Sequence, residues 1–341
     1  MKKKISAVLI VIAIAVVAAV VLYDAFSDKK QSEASGIAMG SVVSVKVYGR
    51  NSDGAGEKII SAAEKIENEN ISRYKSSSEI SRLNSEKNAE LSDYTADVLN
   101  RSSEISKASN GAFDITLGKV SSLWNFDSDS QTVPDEKILA DAVSGVGFEK
   151  IQSSGNNFSI GENQELDLGA VGKGLACDSA KLILDSSGID GAVVAVGGSV
   201  LVYGKNPEGK YWTVGVRTPE KEDNSVALKI KIDGTKFVST SGNYEKCFTK
   251  DGVLYHHILS PKSGFPADEG LKSVTVLSDS GLSSDALSTA CLVLGMEKSR
   301  ELLKKYNAGA VFIDKKNNCY VSENIFGLCS AESDAYTLYK Y

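Results

Sequence analysis

AVVAVGGSVLVYG, residues 192–204, decides the fold. Its two halves are short, apolar and rich in β-branched residues, and Gly197-Gly198 parts them, so they read as neighbouring strands. Working outward, WTVGV at 212–216 and VALKIKI at 226–232 are expected to continue the same sheet, with a helix over Lys173–Ser186 before it. SVTVL at 273–277 leads to a helix starting near Ser284, a second helix to Tyr306 and a final strand around AVFID at 310–314. Toward the N-terminus, SVVSVKVY from Ser41 to Tyr48 alternates as a half-buried strand does, and Ile59, Ala63 and Ile66 recur at helical spacing. Ser76 and Glu79 suggest a capping box ahead of Ile80 and Leu83, and a further helix is expected from Asp93 to Ala108, closed by Asn110-Gly111. After Leu123, Trp124 and Phe126, the polar stretch DSDSQTVPDEK at 127–137 reads as a surface loop entering a helix at Pro134.

Strands and helices follow one another without a regular strand-helix-strand beat, and several strands are adjacent and antiparallel. The reading is therefore α+β, with mixed, largely antiparallel sheets and packed helices, rather than a doubly wound α/β sheet. No internal repeat and no Ser/Pro/Gly linker divides the body, so residues 31–341 are expected to form one domain behind a separate segment, residues 1–30.

That first segment carries Lys2, Lys3 and Lys4 ahead of an apolar run from Ile5 to Tyr23. A helix of that length would reach roughly 28 Å, close to the hydrocarbon thickness of a bilayer. The lysines place its start in the cytoplasm and the body on the extracytoplasmic face of the cell membrane. A retained anchor is the favoured reading and a cleaved signal peptide the competing one, because no small-x-small site follows the run. An odd count of five cysteines outside the cell would leave at least one thiol over, with Cys319 and Cys329 a candidate pair.

Composition narrows the chemistry. With 38 Lys+Arg against 44 Asp+Glu and a net charge of -6, the chain has no basic field for a phosphate backbone, so nucleic acid is not the expected partner. Its only histidines, His256 and His257, leave no three-histidine zinc site, and no Cys-x-x-Cys pair exists. A metal, if bound, must be held mainly by oxygen. Gly172-Lys173 fails as a phosphate loop, since Asp167 stands where that motif needs Gly and Gly174 where it needs Ser or Thr. What remains is a strand-like end, LDLGA, then GKG opening a helix whose start could receive anionic oxygen, or a plain glycine-rich turn.

Asp285 and Thr289 are one helical turn apart, so a carboxylate and a hydroxyl share one side and could hold a hard cation; an Asp complementing the helix dipole is the plainer explanation. His256 and His257 alternate across an expected strand, Tyr255 to Leu259, so only one can serve a given site. Gly197-Gly198-Ser199 and Ser239–Tyr244 offer amides and small hydroxyls, which turn chemistry also explains. No Gly-x-Ser-x-Gly elbow supports a serine hydrolase.

Taken in order, these segments resemble the ApbE family of FAD:protein FMN transferases. The matching stretches are Met39-Gly40-Ser41, SRYKSSSEISRLN at 72–84, GAFDITLG at 111–118 with Trp124 and Phe126, and LDLGAVGKGLACD at 166–178. Gly197-Gly198, STSGNYE at 239–245, HHILSPKSGFP at 256–266 and SSDALSTACLVLG at 283–295 complete the set. The resemblance implies a T-fold-related catalytic body of α+β architecture. It implies Mg2+ held by Asp285, Thr289 and the Ala170 carbonyl, and an FAD pocket lined by Met39, Tyr74, Ala112, Phe113, Asp114, Asp167, Lys173 and Ile258. Lys173 and His257 are the implied catalytic pair, with His256 structural. The implied reaction moves FMN from FAD to a Thr or Ser hydroxyl of an acceptor flavoprotein, a membrane electron-transport subunit or a secreted flavoprotein, and releases AMP. FAD hydrolysis to FMN and AMP is the alternative, and non-catalytic FAD binding a lesser one. Ser199 and Ser260 depart from the family, where Asn or Asp is common at the first and Asp at the second.

Overall fold

The glycine pair at 197–198 makes a two-residue turn: Val196 pairs with Ser199, and Gly197 takes a positive φ of 52°. The structure, a computed structural model, describes residues 31–126, 128, 131–220 and 225–341; the apolar N-terminal run and part of the 127–137 loop lie outside them. None of the described helices is long and apolar enough to cross a membrane.

The turn sits inside a nine-stranded sheet. Its order is Gln31–Ala38, Ser41–Tyr48, Gly191–Val196, Ser199–Gly204, Lys236–Gly242, Leu271–Ser278, Gly309–Asp314, Asn318–Val321 and Thr337–Lys340. Every pair is antiparallel except the last. On one face lie the helices Gly169–Ser187 and Gly281–Leu294, packed on each other, with Ala55–Lys65 beside them. The alternation puts Val43, Val45, Val47, Leu201 and Phe237 into that layer. On the other face Val202, Val238, Leu277, Val311 and Ile313 meet a three-stranded sheet of Trp212–Arg217, Val226–Ile232 and Cys329–Ala331. Each fully buried aliphatic side chain there contributes about 1.5–3 kcal/mol of hydrophobic burial. The α+β, largely antiparallel architecture is as read.

Several boundaries differ, each for a local reason. WTVGV and VALKIKI do not continue the main sheet; both have one apolar face, and they cover it as a separate layer. AVFID is not the final strand: Asn318–Val321 pairs back onto it, and two further short strands, Cys329–Ala331 and Thr337–Lys340, follow. Ser78, not Ser76, caps the helix Glu79–Glu86, and Glu79 forms no capping box: its carboxylate takes the Ser92 amide at 2.8 Å and the Ser92 and Thr95 hydroxyls at the start of Asp93–Ala108. Asp135 rather than Pro134 starts Glu136–Gly145, its carboxylate accepting from the Lys137 and Ile138 amides. The strand holding His256 is Val253–His256 and stops before His257. All five cysteines, Cys319 and Cys329 included, carry free thiols.

Candidate functional site

The helix expected to begin at Lys173 begins a turn earlier, at Gly169, so Gly172-Lys173-Gly174 lies within it rather than ahead of it. The glycines serve packing. A Cβ on Gly174 would stand 2.1 Å from the Gly281 carbonyl oxygen, and one on Gly281 would stand 2.1 Å from the Gly174 carbonyl oxygen. The two long helices therefore touch backbone to backbone, which only glycine permits. This contact brings Asp285, one turn past Gly281, against the neighbouring helix, where its Oδ2 accepts the Gly174 amide at 2.9 Å. In a regular helix that amide would be directed at the Ala170 carbonyl.

Asp285 is 3% exposed. Burial pushes its carboxyl above the usual carboxylate range, opposed by the charge of Lys173 and by hydrogen bonds from Gly174 and Ser199. Among the described residues no Lys or Arg nitrogen comes within ion-pair distance of it. The start of its helix is fixed twice, by Ser280 accepting from the Ser283 amide and by Asp178, which receives the Gly281 amide at 2.6 Å and the Leu282 amide at 2.9 Å. Thr289, one turn on, lies 3.1 Å from the Ser241 hydroxyl. Carboxylate, hydroxyl and main-chain carbonyl are all oxygen donors, the chemistry that a hard divalent cation prefers. Among the described residues no group of three or more His, Cys, Asp and Glu offers a softer alternative.

Lys173 projects from the same helix against the Gly197 turn, where a Cβ would stand 3.1 Å from its Cδ and 2.8 Å from Ser41 Oγ. The turns at Met39-Gly40 and Gly197-Gly198 thus meet at one end of the sheet. Met39 itself holds φ 55°, its amide donates to Glu67 at 2.7 Å, and its Sδ lies 3.5 Å from where a Gly172 Cβ would be. His256 and His257 divide their roles. His256, 5% exposed, uses both ring nitrogens, Nε2 toward the Ala267 carbonyl and Nδ1 accepting the Ile258 amide. His257 keeps a buried Nδ1 without a hydrogen-bond partner. Burial first, then the positive charges of Lys173 and Lys246, lower its pKa to about 4.

At the start of the helix, Asp167 accepts the Gly169 amide and the Ser121 hydroxyl, both at 2.9 Å, and lies 3.4 Å from the Arg73 guanidinium. The Arg73 side chain is 6% exposed and also bridges Glu165 at 2.9 Å; the exposed Tyr74 ring lies over it, 4.5 Å away. The Asp167 amide donates to the Ile115 carbonyl, so the 112–116 segment runs alongside. In it Phe113, like Ile258, belongs to the hydrophobic core, Ala112 is buried, and Asp114 accepts from the Thr116 amide and hydroxyl and the Phe148 amide. Of the expected site residues, Asp285 stands at the helix contact, Ala170 lies one turn before Gly174 and Thr289 one turn past Asp285, Lys173 is beside Gly174 in the same helix, and the His257 ring is within range of the Lys173 charge. Asp178 and Arg73 were not singled out from sequence, although both lie within the motifs quoted above; Ser241 was visible only as one of the small hydroxyls of Ser239–Tyr244.

An α+β body whose buried Asp285 lies at a glycine-to-glycine helix contact, edged by Lys173 and by His257 with its Nδ1 unpartnered, marks this end of the sheet as the candidate site. The family follows from comparison with known proteins. The description "ApbE family" matches residues 39–313. The chain is 32% identical over 256 residues to the FAD:protein FMN transferase of Klebsiella pneumoniae (72% of this chain, 73% of that protein). It is 31% identical over 340 residues to that of Haemophilus influenzae (95% and 96%). The crystal structure of the ApbE protein of Thermotoga maritima superposes with a TM-score of 0.80 at 27% identity, covering 88% of this chain and 99% of that one. The chain belongs to the ApbE family.

Proposed function

We propose that this protein is an FAD:protein FMN transferase that uses Mg2+ to move FMN from FAD to a Thr or Ser hydroxyl of another protein, with AMP as the leaving product. The observation that carries the metal is the buried Asp285 carboxylate, held by the Gly174 amide and with no Lys or Arg at ion-pair distance among the described residues, one turn from Thr289. The names of the relatives supply the flavin chemistry.

Asp285, Thr289 and the Ala170 carbonyl would hold the ion. When bound, Mg2+ would neutralise charge building on the diphosphate oxygens. Lys173, pointing at the same end of the sheet, holds the anionic substrate electrostatically. The acceptor oxygen bonds to the FMN phosphorus, the bond from that phosphorus to the bridging oxygen breaks, and the bridging oxygen leaves on AMP. The hydroxyl proton passes to the His257 ring, which is neutral at neutral pH. An anionic diphosphate nearby raises the basicity of that ring. Tyr74, Asp167, Met39, Ile258 and the Ala112–Asp114 segment are assigned to the FAD pocket.

The apolar run Ile5–Tyr23 behind three lysines supports an anchor that keeps the body on the extracytoplasmic face, where membrane electron-transport subunits and secreted flavoproteins are the acceptors in reach. The test is to incubate the protein with FAD and Mg2+, with and without solubilised membrane proteins of the source cell. AMP release and covalent flavin fluorescence in a denaturing gel are followed together. AMP that appears as fast without acceptors, with no fluorescent band, would make the protein an FAD hydrolase instead.

A further inference from the structure

The strand Lys236–Gly242 turns Ser239 and Ser241 toward the helix Gly281–Leu294, and Thr240 to the opposite face, against Thr275. Gly242 at its end is held by a close approach, since a Cβ there would stand 2.3 Å from the Tyr244 ring. Ser241 Oγ lies 2.7 Å from Ser288 Oγ and 3.1 Å from Thr289 Oγ1. Ser288 Oγ in turn donates to the main-chain carbonyl of Asp285 at 2.8 Å.

A hydroxyl has one proton to give, and in the Ser241–Ser288 and Ser241–Thr289 contacts either atom could be the donor, so the one directed bond, from Ser288 to the Asp285 carbonyl, is the reference for the group. With the Ser288 proton on the Asp285 carbonyl, the 2.7 Å contact uses the proton of Ser241. Ser241 then has none for Thr289, and the 3.1 Å contact must use the proton of Thr289. The protons run from Thr289 to Ser241 to Ser288 to the carbonyl. Thr289 Oγ1 is left with its lone pairs away from Ser241.

We infer that Ser241, backed by Ser288, is a positioning residue for the cation: by accepting the Thr289 proton it turns that hydroxyl into a ligand. The inference rests on the metal reading of Asp285 and Thr289. A hydroxyl that aimed its proton at the site would repel a cation. One whose proton is drawn into a chain of hydroxyls presents enriched electron density instead. Ser288 matters although it does not contact the ion, because without it the Ser241 proton is free to turn onto Thr289 and reverse the chain.

The test titrates Mn2+, as the probe ion, into the full-length protein in detergent, following free Mn2+ by electron paramagnetic resonance. The wild type should take up one ion saturably. Ser241→Ala and Ser288→Ala should each weaken uptake roughly tenfold or more. Ser241→Thr, which keeps the hydroxyl, should restore most of the affinity, and Thr240→Ala should leave it unchanged. Circular dichroism melts establish that each variant is folded. Wild-type affinity in Ser241→Ala, or a loss in Ser241→Ala with none in Ser288→Ala, would overturn the directed chain. A wild type that binds no Mn2+ would overturn the metal reading itself.

Discussion

Replacing Gly174 by alanine sets two physical effects against each other. In an isolated helix the change would be favourable by about 1 kcal/mol, because glycine loses more backbone freedom on folding. Here the new methyl would meet the Gly281 carbonyl at 2.1 Å and Asp285 Cβ at 2.9 Å. Backbone atoms cannot rotate away, so the two helices must separate by about 1 Å, and such overpacking costs about 1–3 kcal/mol. The separation also stretches the amide hydrogen bond to the Asp285 carboxylate, a charge-assisted contact worth about 1.5–3 kcal/mol. The net is a destabilisation of about 3 kcal/mol, or roughly 6 °C in melting temperature for a body of this size. The assay is a circular dichroism melt paired with Mn2+ titration, and both stability and metal affinity should fall. A variant that melts at or above the wild-type temperature and binds Mn2+ normally would refute the packed-helix account of how Asp285 is delivered.

Three further outcomes follow from the geometry. Asp178→Ala removes the acceptor of the Gly281 and Leu282 amides and should lower stability by about 1–2 kcal/mol in urea unfolding; an unchanged midpoint would mean that Ser280 suffices as cap. His257, neutral in the folded protein with a pKa of about 4 and charged in the unfolded chain below about 6.5, adds stability that is complete above pH 6.5 and disappears as pH falls toward 4. The loss amounts to about 3 kcal/mol, and His256, also lowered by burial, adds to the same slope; urea midpoints equal at pH 7 and pH 4.5 would contradict this. His257→Ala should slow FMN transfer about a hundredfold or more while leaving Mn2+ affinity intact, and transfer at the wild-type rate would remove it as the base.

Much of the architecture was legible because it rests on local periodicity. The alternation of Val43, Val45 and Val47 and the glycine-parted runs at 192–204 assigned strands whose burial then matched. The separate layer of Trp212–Arg217 and Val226–Ile232 was not legible, since a strand's pattern tells which face is buried but not which sheet covers it. The short strands after Asp314 pair with residues far away or across a loop and carry too few residues for a periodic signal. At the site, the one-turn spacing of Asp285 and Thr289 was visible in the sequence. The role of Gly174 was not, because only a facing helix turns a glycine in a helix from a weakness into a requirement. The two histidines could not be ranked by their spacing; the difference lies in tertiary partners, which satisfy His256 at both nitrogens and leave His257 Nδ1 unpartnered.

The most direct measurement compares the wild type and Asp285→Asn in FAD, Mg2+ and solubilised membrane proteins, counting covalently attached flavin and released AMP. The account predicts one AMP per attached flavin in the wild type, with both lost on chelation and both lost in the variant. Equal flavin attachment by the variant, or attachment that persists after chelation, would contradict it.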